Sequence, residues 1–267
     1  MARIDKFLPK PYLKPTDANR KYKIFRGLTE GLSMNVSGKK AIVFGGTSGI
    51  GLAAARQLAA LGAKVIAVSR SPEKAGDVPA GISLAQCDVR DRDALTKLFT
   101  AHAPFDILVS AATGGDRAMG PFLEMDMDGY QGSFDKLWGY ANVVRFGTEH
   151  MSADGTIVLV SGAPARKSKP GQVSLSSVGG AVEAFVRAVA PEIAPRRLNV
   201  VSPGIIDTPM IQIQGEKRAA MFKNVTANHV IPRAGTPDEV AEGILFLIQN
   251  DFVTGTTIDV DGGWLVS

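Results

Sequence analysis

The chain has 267 residues, 45% hydrophobic and 21% charged, with 29 glycines, one cysteine, three histidines and a formal charge of +4. Such a length can bury a full core in one large domain; a single cysteine excludes a disulfide framework, and with three scattered histidines it excludes a structural zinc cage, so no metal is expected. No run approaches the roughly 18 apolar residues of a membrane span and no signal-peptide core follows the N-terminus, so the expectation is a soluble, cytoplasmic protein with no membrane role.

The positive charge is local. Residues 1–36 carry eight Lys or Arg against Asp5, Asp17 and Glu30, a net of +5, which leaves the rest of the chain at −1. With Pro9, Pro11 and Pro15 and no clear period, this stretch reads as a basic extension. It either drapes over the surface or contacts a neighbouring subunit. Its aromatics (Phe7, Tyr12, Tyr22, Phe25) interleave too thinly for a nucleic-acid surface, so no nucleic acid is expected. The body is residues 37–267.

In the body, short Val- and Ile-rich runs alternate with helical patterns. In chain order they predict strand 41–44, helix 50–61, strand 64–68, strand 82–87, helix 91–102 and strand 105–110. Helix 133–151, strand 156–161, helix 173–194, strand 198–202, helix 236–249 and strand 256–260 follow. That alternation predicts an α/β Rossmann-type fold: a doubly wound parallel sheet of about seven strands in a single domain.

The first strand runs into Gly45-Gly46-Thr47-Ser48-Gly49-Ile50-Gly51, and a helix opens at its end. A glycine turn lets backbone N–H groups approach a pyrophosphate, and the helix N-terminus favours its charge. The strand–turn–helix context makes the loop a dinucleotide site rather than a mere turn. The second strand ends in Ser69-Arg70. An acidic residue at its end would hold a ribose 2′-hydroxyl, whereas a guanidinium beside a small hydroxyl suits a 2′-phosphate, so NADP(H) is preferred and NAD(H) is possible. After the third strand, the Asp88 carboxylate of Asp88-Val89 is placed to accept from an adenine amine. Cys87 reads as a small buried apolar residue rather than a nucleophile.

On these motifs the chain resembles the short-chain dehydrogenase/reductase family from about residue 38 to the C-terminus. The resemblance also rests on Asn199-Val200-Val201-Ser202-Pro203-Gly204, Ile206-Asp207-Thr208-Pro209, Thr254-Gly255 and Val260-Asp261-Gly262-Gly263. It implies an NAD(P) oxidoreductase that is a homodimer or homotetramer acting on a small molecule. It also implies that backbone Ile206 and the hydroxyl of Thr208, after Pro203-Gly204, hold the nicotinamide carboxamide, with residues 209–230 as a variable substrate lid or a packed helix pair. Ser110-Ala111-Ala112-Thr113 departs from the family's Asn-Asn-Ala-Gly stretch but keeps Ala111 small for close cofactor approach.

The reaction centre departs further. The family's proton donor is a Tyr, with a Lys four residues on, a Ser and an Asn; aligned through 155–161 and 181–192, those positions fall on Leu175, Gly179, Gly162 and about Ala141, beside Asn142. All four tyrosines (Tyr12, Tyr22, Tyr130, Tyr140) precede residue 141, so no slip of register restores the acid. Ser161, at a strand end beside the Ser position, is the expected catalytic substitute, with Ser174 and Ser176 flanking the empty positions. Arg117, Lys167 and Asn142 are candidate substrate contacts, with Asp116, Arg166 and Lys169 nearby in the loops. The expectation is an NADP(H)-dependent reductase of a carbonyl, imine or activated alkene with a non-standard or substrate-assisted proton donor. The alternative is a cofactor-binding protein without redox turnover: a sensor, a partner subunit, or a cyclase or isomerase using the same cleft.

Overall fold

Seven apolar runs become seven parallel strands. The computed structural model describes residues 34–113 and 117–267. In chain order these form β1 (Lys40–Phe44), α1 (Gly49–Ala60), β2 (Lys64–Ser69), β3 (Ile82–Gln86), α2 (Arg92–His102) and β4 (Phe105–Ser110). Then come α3 (Met127–Gly132), α4 (Asp135–Gly147), β5 (Met151–Val160), α5 (Val173–Val189), β6 (Arg197–Pro203), α6 (Gly215–Val225), α7 (Pro237–Gln249) and β7 (Thr257–Val260). The sheet order is β3-β2-β1-β4-β5-β6-β7, parallel throughout.

The strands inside the sheet are buried on both faces, which is why their sequences are continuous apolar runs rather than alternating ones, whereas the edge strands β3 and β7 are half-exposed. Ile42 and Phe44 of β1 join a core with α2, α4 and α5 that includes Leu95, Phe99, Tyr140, Val143 and Val182. Ala41 and Val43 face the other way, into a core with Leu58 of α1 and Val240, Ile244 and Leu247 of α7. The chain turns to opposite sides after β1, so a crevice opens beyond the carboxyl ends of β1 and β4, where doubly wound sheets bind ligands.

Arg197 opens β6 and is buried, with no carboxylate within salt-bridge distance among the described residues. Its guanidinium donates to the carbonyls of Leu247, Ile248, Asn250 and Val253, satisfying the end of α7 and the turn toward β7.

Three expectations about elements change. The helix expected over 133–151 is shorter: α4 covers Asp135–Gly147, a separate short helix α3 ends just before it at Gly132, a 3-10 turn (Thr148–His150) follows, and Met151 already pairs with Phe105 as the start of β5. At the junction between α3 and α4 the Ser133 hydroxyl donates to Gly129 O (2.9 Å) and accepts from Ala118 N (2.9 Å), tying the junction to the loop after β4. The helix expected over 173–194 ends at Val189, before Pro191 and Pro195, which lack an N–H to continue it. Within 209–230 there is one helix, α6.

The expected basic extension, residues 1–36, lies outside the described residues up to Ser33. Met34 N donates to Gln249 O (2.9 Å) and Val36 is buried, so the chain is packed on the domain from Met34 onward. Among the described residues no helix is long and apolar enough to cross a membrane.

Candidate active site

A cavity of about 620 Å³ follows the carboxyl edge of the sheet, from Ser69, Arg70 and Asp88 past the glycine loop to Leu175, Gly179 and Trp264. Its two ends are made differently.

The outer end is backbone. Gly45 lies at φ +73°, and a Cβ there would sit 3.0 Å from Ala111 C and Ala112 N. At Gly51 a Cβ would lie 2.2 Å from Gly45 O, so only glycine lets α1 start this close under the loop. Thr47, Ser48, Gly49, Ile50 and Gly51 all line the cavity. The first turn of α1 has neither a side-chain cap nor an acidic residue, which leaves its N–H groups and dipole to an anion.

Ser69 and Arg70 line the same end, and Ser69 Oγ is buried without a hydrogen-bond partner among the described residues. The Asp88 carboxylate is braced by Arg90: Nη2 at 3.0 Å, Nε at 3.3 Å and the backbone N–H at 2.9 Å. The hydrogen bonds from Arg90 hold it below the usual carboxylate range. Arg90 also donates to Asp135 (2.9 Å), tying this end to the start of α4. Burial pushes the Cys87 thiol up to about 11, which makes it a poor nucleophile. Val89 lines the cavity and is buried, and Ala111 is held by its N–H to Phe44 O (3.0 Å).

At the far side Pro203, Gly204, Ile206 and Thr208 line the cavity. Arg218 of α6 holds this turn: Nε donates to Asp207 Oδ1 (3.0 Å), Nη2 to Thr208 O (2.9 Å) and Nη1 to the carbonyls of Ile211 and Ile213. Met210 and Ile211 from the expected lid face the cavity, whereas Phe222 is packed beneath the Arg218 guanidinium. A glycine cradle that any Cβ would fill, an uncapped helix start and an orphaned hydroxyl beside an arginine together fit a dinucleotide with a phosphate near Ser69 and Arg70.

The inner end is side chain. Leu175 and Gly179 line it, so the cavity meets an alkyl group and a hydrogen at the positions where the resemblance implies an acid and an amine. The space at Gly179 is taken: a Cβ would lie 3.0 Å from Ala165 Cβ, in the 3-10 turn Ala163–Ala165 packed on α5. Gly162 is roomier, its nearest neighbour being Pro164 Cδ at 3.6 Å.

Ser161 lines this end, but its hydroxyl donates to Glu183 Oε1 (3.1 Å), and Arg166 Nε lies 3.4 Å from Glu183 Oε2. The expected catalytic hydroxyl is thus held in a chain from Ser161 through Glu183 and Arg166 to Asp259. Ser174 lines the cavity with its hydroxyl given to Ala118 O.

Two expected substrate contacts are placed elsewhere. The Asn142 amide donates to Val89 O (3.1 Å), a buried tie between α4 and the segment after β3, and does not line the cavity. Lys167 also lies off the cavity, its Nζ donating to the carbonyls of Trp264 (3.1 Å) and Ser267. Arg117 does line it. Asp116 lies outside the described residues.

Lys136 was not anticipated from the sequence. It sits in the first turn of α4, 8% exposed, and lines the inner end. Gly139, one turn on, explains its depth: a Cβ there would lie 2.5 Å from Val89 Cγ2, so glycine lets α4 close against the sheet edge. Nζ donates to Ser161 O (3.3 Å) and lies 5.6 Å from the Tyr140 ring centre. Burial, with the nearby Arg117 guanidinium adding to it, lowers the ammonium pKa to about 7. Tyr140 is fully buried, donates to Val160 O (3.0 Å), and has its hydroxyl pKa pushed well up by burial. A lysine sharing the helical stripe of Tyr140, Val143 and Val144 was the signal available in the sequence.

The family model described as Enoyl-(Acyl carrier protein) reductase matches residues 45–265. The chain is 28% identical to L-xylulose reductase of Bos taurus over 88% of its length and 100% of the relative's. It is 32% identical to carbonyl reductase family member 4 of Danio rerio, over 84% of its length and 96% of the relative's. A small-chain dehydrogenase solved in complex with NADPH superposes with a TM-score of 0.73 at 27% identity, covering 86% of this chain and all of the other.

Proposed function

Because the chain belongs to the short-chain dehydrogenase/reductase family, an oxidoreductase family, we propose that it is an NADP(H)-dependent reductase of a small carbonyl, imine or activated-alkene substrate. The observation that carries this reading is the continuous cavity, with a glycine cradle and Arg70 at one end and the turn of Pro203–Thr208 beside an unassigned inner chamber at the other.

In this reading the N–H groups at the start of α1 hold the pyrophosphate and Gly45 and Gly51 allow its approach. Ser69 and Arg70 take the 2′-phosphate, which is what sets NADP(H) above NAD(H), and Asp88 accepts from the adenine amine. Backbone Ile206 and the Thr208 hydroxyl orient the carboxamide. When bound, NADPH supplies a hydride to the substrate. Arg117 and the apolar side chains of Leu175, Met210 and Ile211 orient that substrate and keep water from it. The proton comes from a donor other than the family's tyrosine.

Loss of NADPH absorbance with a panel of α-dicarbonyl, cyclic imine and enone substrates tests the reading, and reduced product stoichiometric with NADPH consumed is the expected result. Tight NADPH binding with no consumption across the panel would favour the second reading, cofactor binding without redox turnover. Leu175 and Gly179 are the observation that keeps that reading in view.

A further inference from the structure

We propose that Lys136 is the proton donor of this reduction, working from the first turn of α4 rather than from the α5 positions that Leu175 and Gly179 occupy. The assignment rests on the reductase reading above and goes beyond it by naming the acid.

Elimination at the inner end is the first argument. The Ser161 and Ser174 hydroxyls are given to Glu183 and to Ala118 O. Tyr140 gives its hydroxyl proton to Val160 O. Arg117 lines the chamber but stays protonated in any working range. Cys87 lies at the adenine end. Among the described residues, only Lys136 combines a transferable proton with a place on the chamber wall.

Its bonding is the second. Of the three ammonium N–H groups, one is directed at Ser161 O at 3.3 Å, and no carboxylate among the described residues pairs with the others. A buried ammonium without a counter-ion costs stability, and its retention here is the cost of the proposed proton donor. The charged groups on the surrounding elements leave it so: Arg117 repels it, Glu183 is engaged by Ser161 and Arg166, and Asp135 and Asp88 are engaged by Arg90. With a pKa near 7, the group holds its proton close to the neutral range and releases it readily, the condition for an efficient general acid.

The step balances. A hydride from NADPH forms a C–H bond at the carbonyl carbon, and the C=O π pair moves onto oxygen. That oxygen takes the proton from Lys136 Nζ as the N–H bond breaks. The substrate gains two electrons, NADPH is left as NADP⁺, and the neutral amine regains a proton from water.

The test uses the full chain, with phenanthrenequinone and diacetyl as probes. Lys136→Met should bind NADPH like the wild type by fluorescence titration, with kcat for both probes lower by about 10²–10⁴-fold. Wild-type kcat should fall as pH rises through about 7, and Lys136→Arg, whose guanidinium does not titrate there, should lose that fall. Independently of turnover, protein carrying ¹³C at lysine Cε should show one resonance titrating near pH 7 that Lys136→Met lacks. Unchanged kcat and pH profile in Lys136→Met, or no lysine resonance titrating near neutrality, overturns the assignment and leaves the reductase reading standing. A wild type that binds NADPH and reduces neither probe overturns both.

Discussion

At the outer end of the cavity the glycine loop lines the wall with backbone, flanked by Ser69, Arg70 and Asp88; at the inner end the wall is mainly side chain. The outer end depends on where glycine permits the chain to go, and its geometry is set by contacts such as Gly51 on Gly45 O. The inner end depends on which side chains face the chamber and what charge they hold, and a few substitutions can change it without moving a strand. On the proposed reading, the outer end would hold the cofactor through backbone geometry while the chemistry of the inner end is set by a few side chains.

The largest effect expected on this contrast comes from Gly51→Val. A Cβ 2.2 Å from a carbonyl oxygen forces α1 away from the loop. Overpacking of this kind costs about 1–3 kcal/mol, and here it falls on the binding surface, so NADPH affinity should drop by about 100-fold in a fluorescence titration. Circular dichroism should show the fold retained. Unchanged affinity would mean that the backbone cradle does not set the outer end.

Lys136 sharpens the other side. Folding lowers its pKa from 10.5 to about 7. Between those values the unfolded chain holds a proton that the native chain has lost, so stability rises with pH across that window. Below about 7 both states are protonated and the full penalty of burying the charge is present; above 10.5 both are neutral and it is gone. Lys136→Met should therefore be more stable than the wild type at neutral pH, and the gap should close by about 1.4 kcal/mol per pH unit on moving upward from pH 7. Urea titrations at several pH values read this directly, and a gap that does not vary with pH would show that Lys136 folds with its charge fully compensated.

The two ends also differ in how far they could be read from the sequence. The glycine loop is a local signal, because strand, turn and helix are consecutive in sequence, even though Gly45 is also fitted against Ala111 and Ala112. Sheet class was legible for the same reason: each buried strand is a continuous apolar run. Lys136 was not legible, because its burial depends on α4 closing against Val89 through Gly139, a contact between residues 50 positions apart. Asn142 misled for a related reason, since its place in sequence near the cleft did not reveal an amide already used on Val89 O. Likewise the junction between α3 and α4 is tied to Ala118 through Ser133, and Arg218 gathers a turn whose carbonyls lie on another segment. Pattern reading reports what a segment prefers, and these features are decided by what it meets.

Arg70 gives an intermediate effect at the outer end. If it pairs with a 2′-phosphate, Arg70→Ala should lose charge-assisted hydrogen bonds worth about 2 kcal/mol. NADPH affinity should fall by about 30-fold with NADH affinity little changed. Equal losses for both cofactors would remove the basis for preferring NADP(H).

The smallest effect separates two glycines at the inner end itself. Both stand where the resemblance places polar groups, at the Ser and Lys positions, yet their surroundings differ. A Cβ on Gly179 would lie 3.0 Å from Ala165 Cβ, so Gly179→Ala must push the Ala163–Ala165 turn off α5, at about 1 kcal/mol. A Cβ on Gly162 meets nothing closer than 3.6 Å, so Gly162→Ser should change stability by no more than about 0.5 kcal/mol. Thermal or urea unfolding of the two variants would then show that the lysine position is closed by packing while the serine position is merely vacant. If Gly179→Ala proved as neutral as Gly162→Ser, the turn would be free to move, and a lysine could be restored at 179 without rebuilding the wall around it.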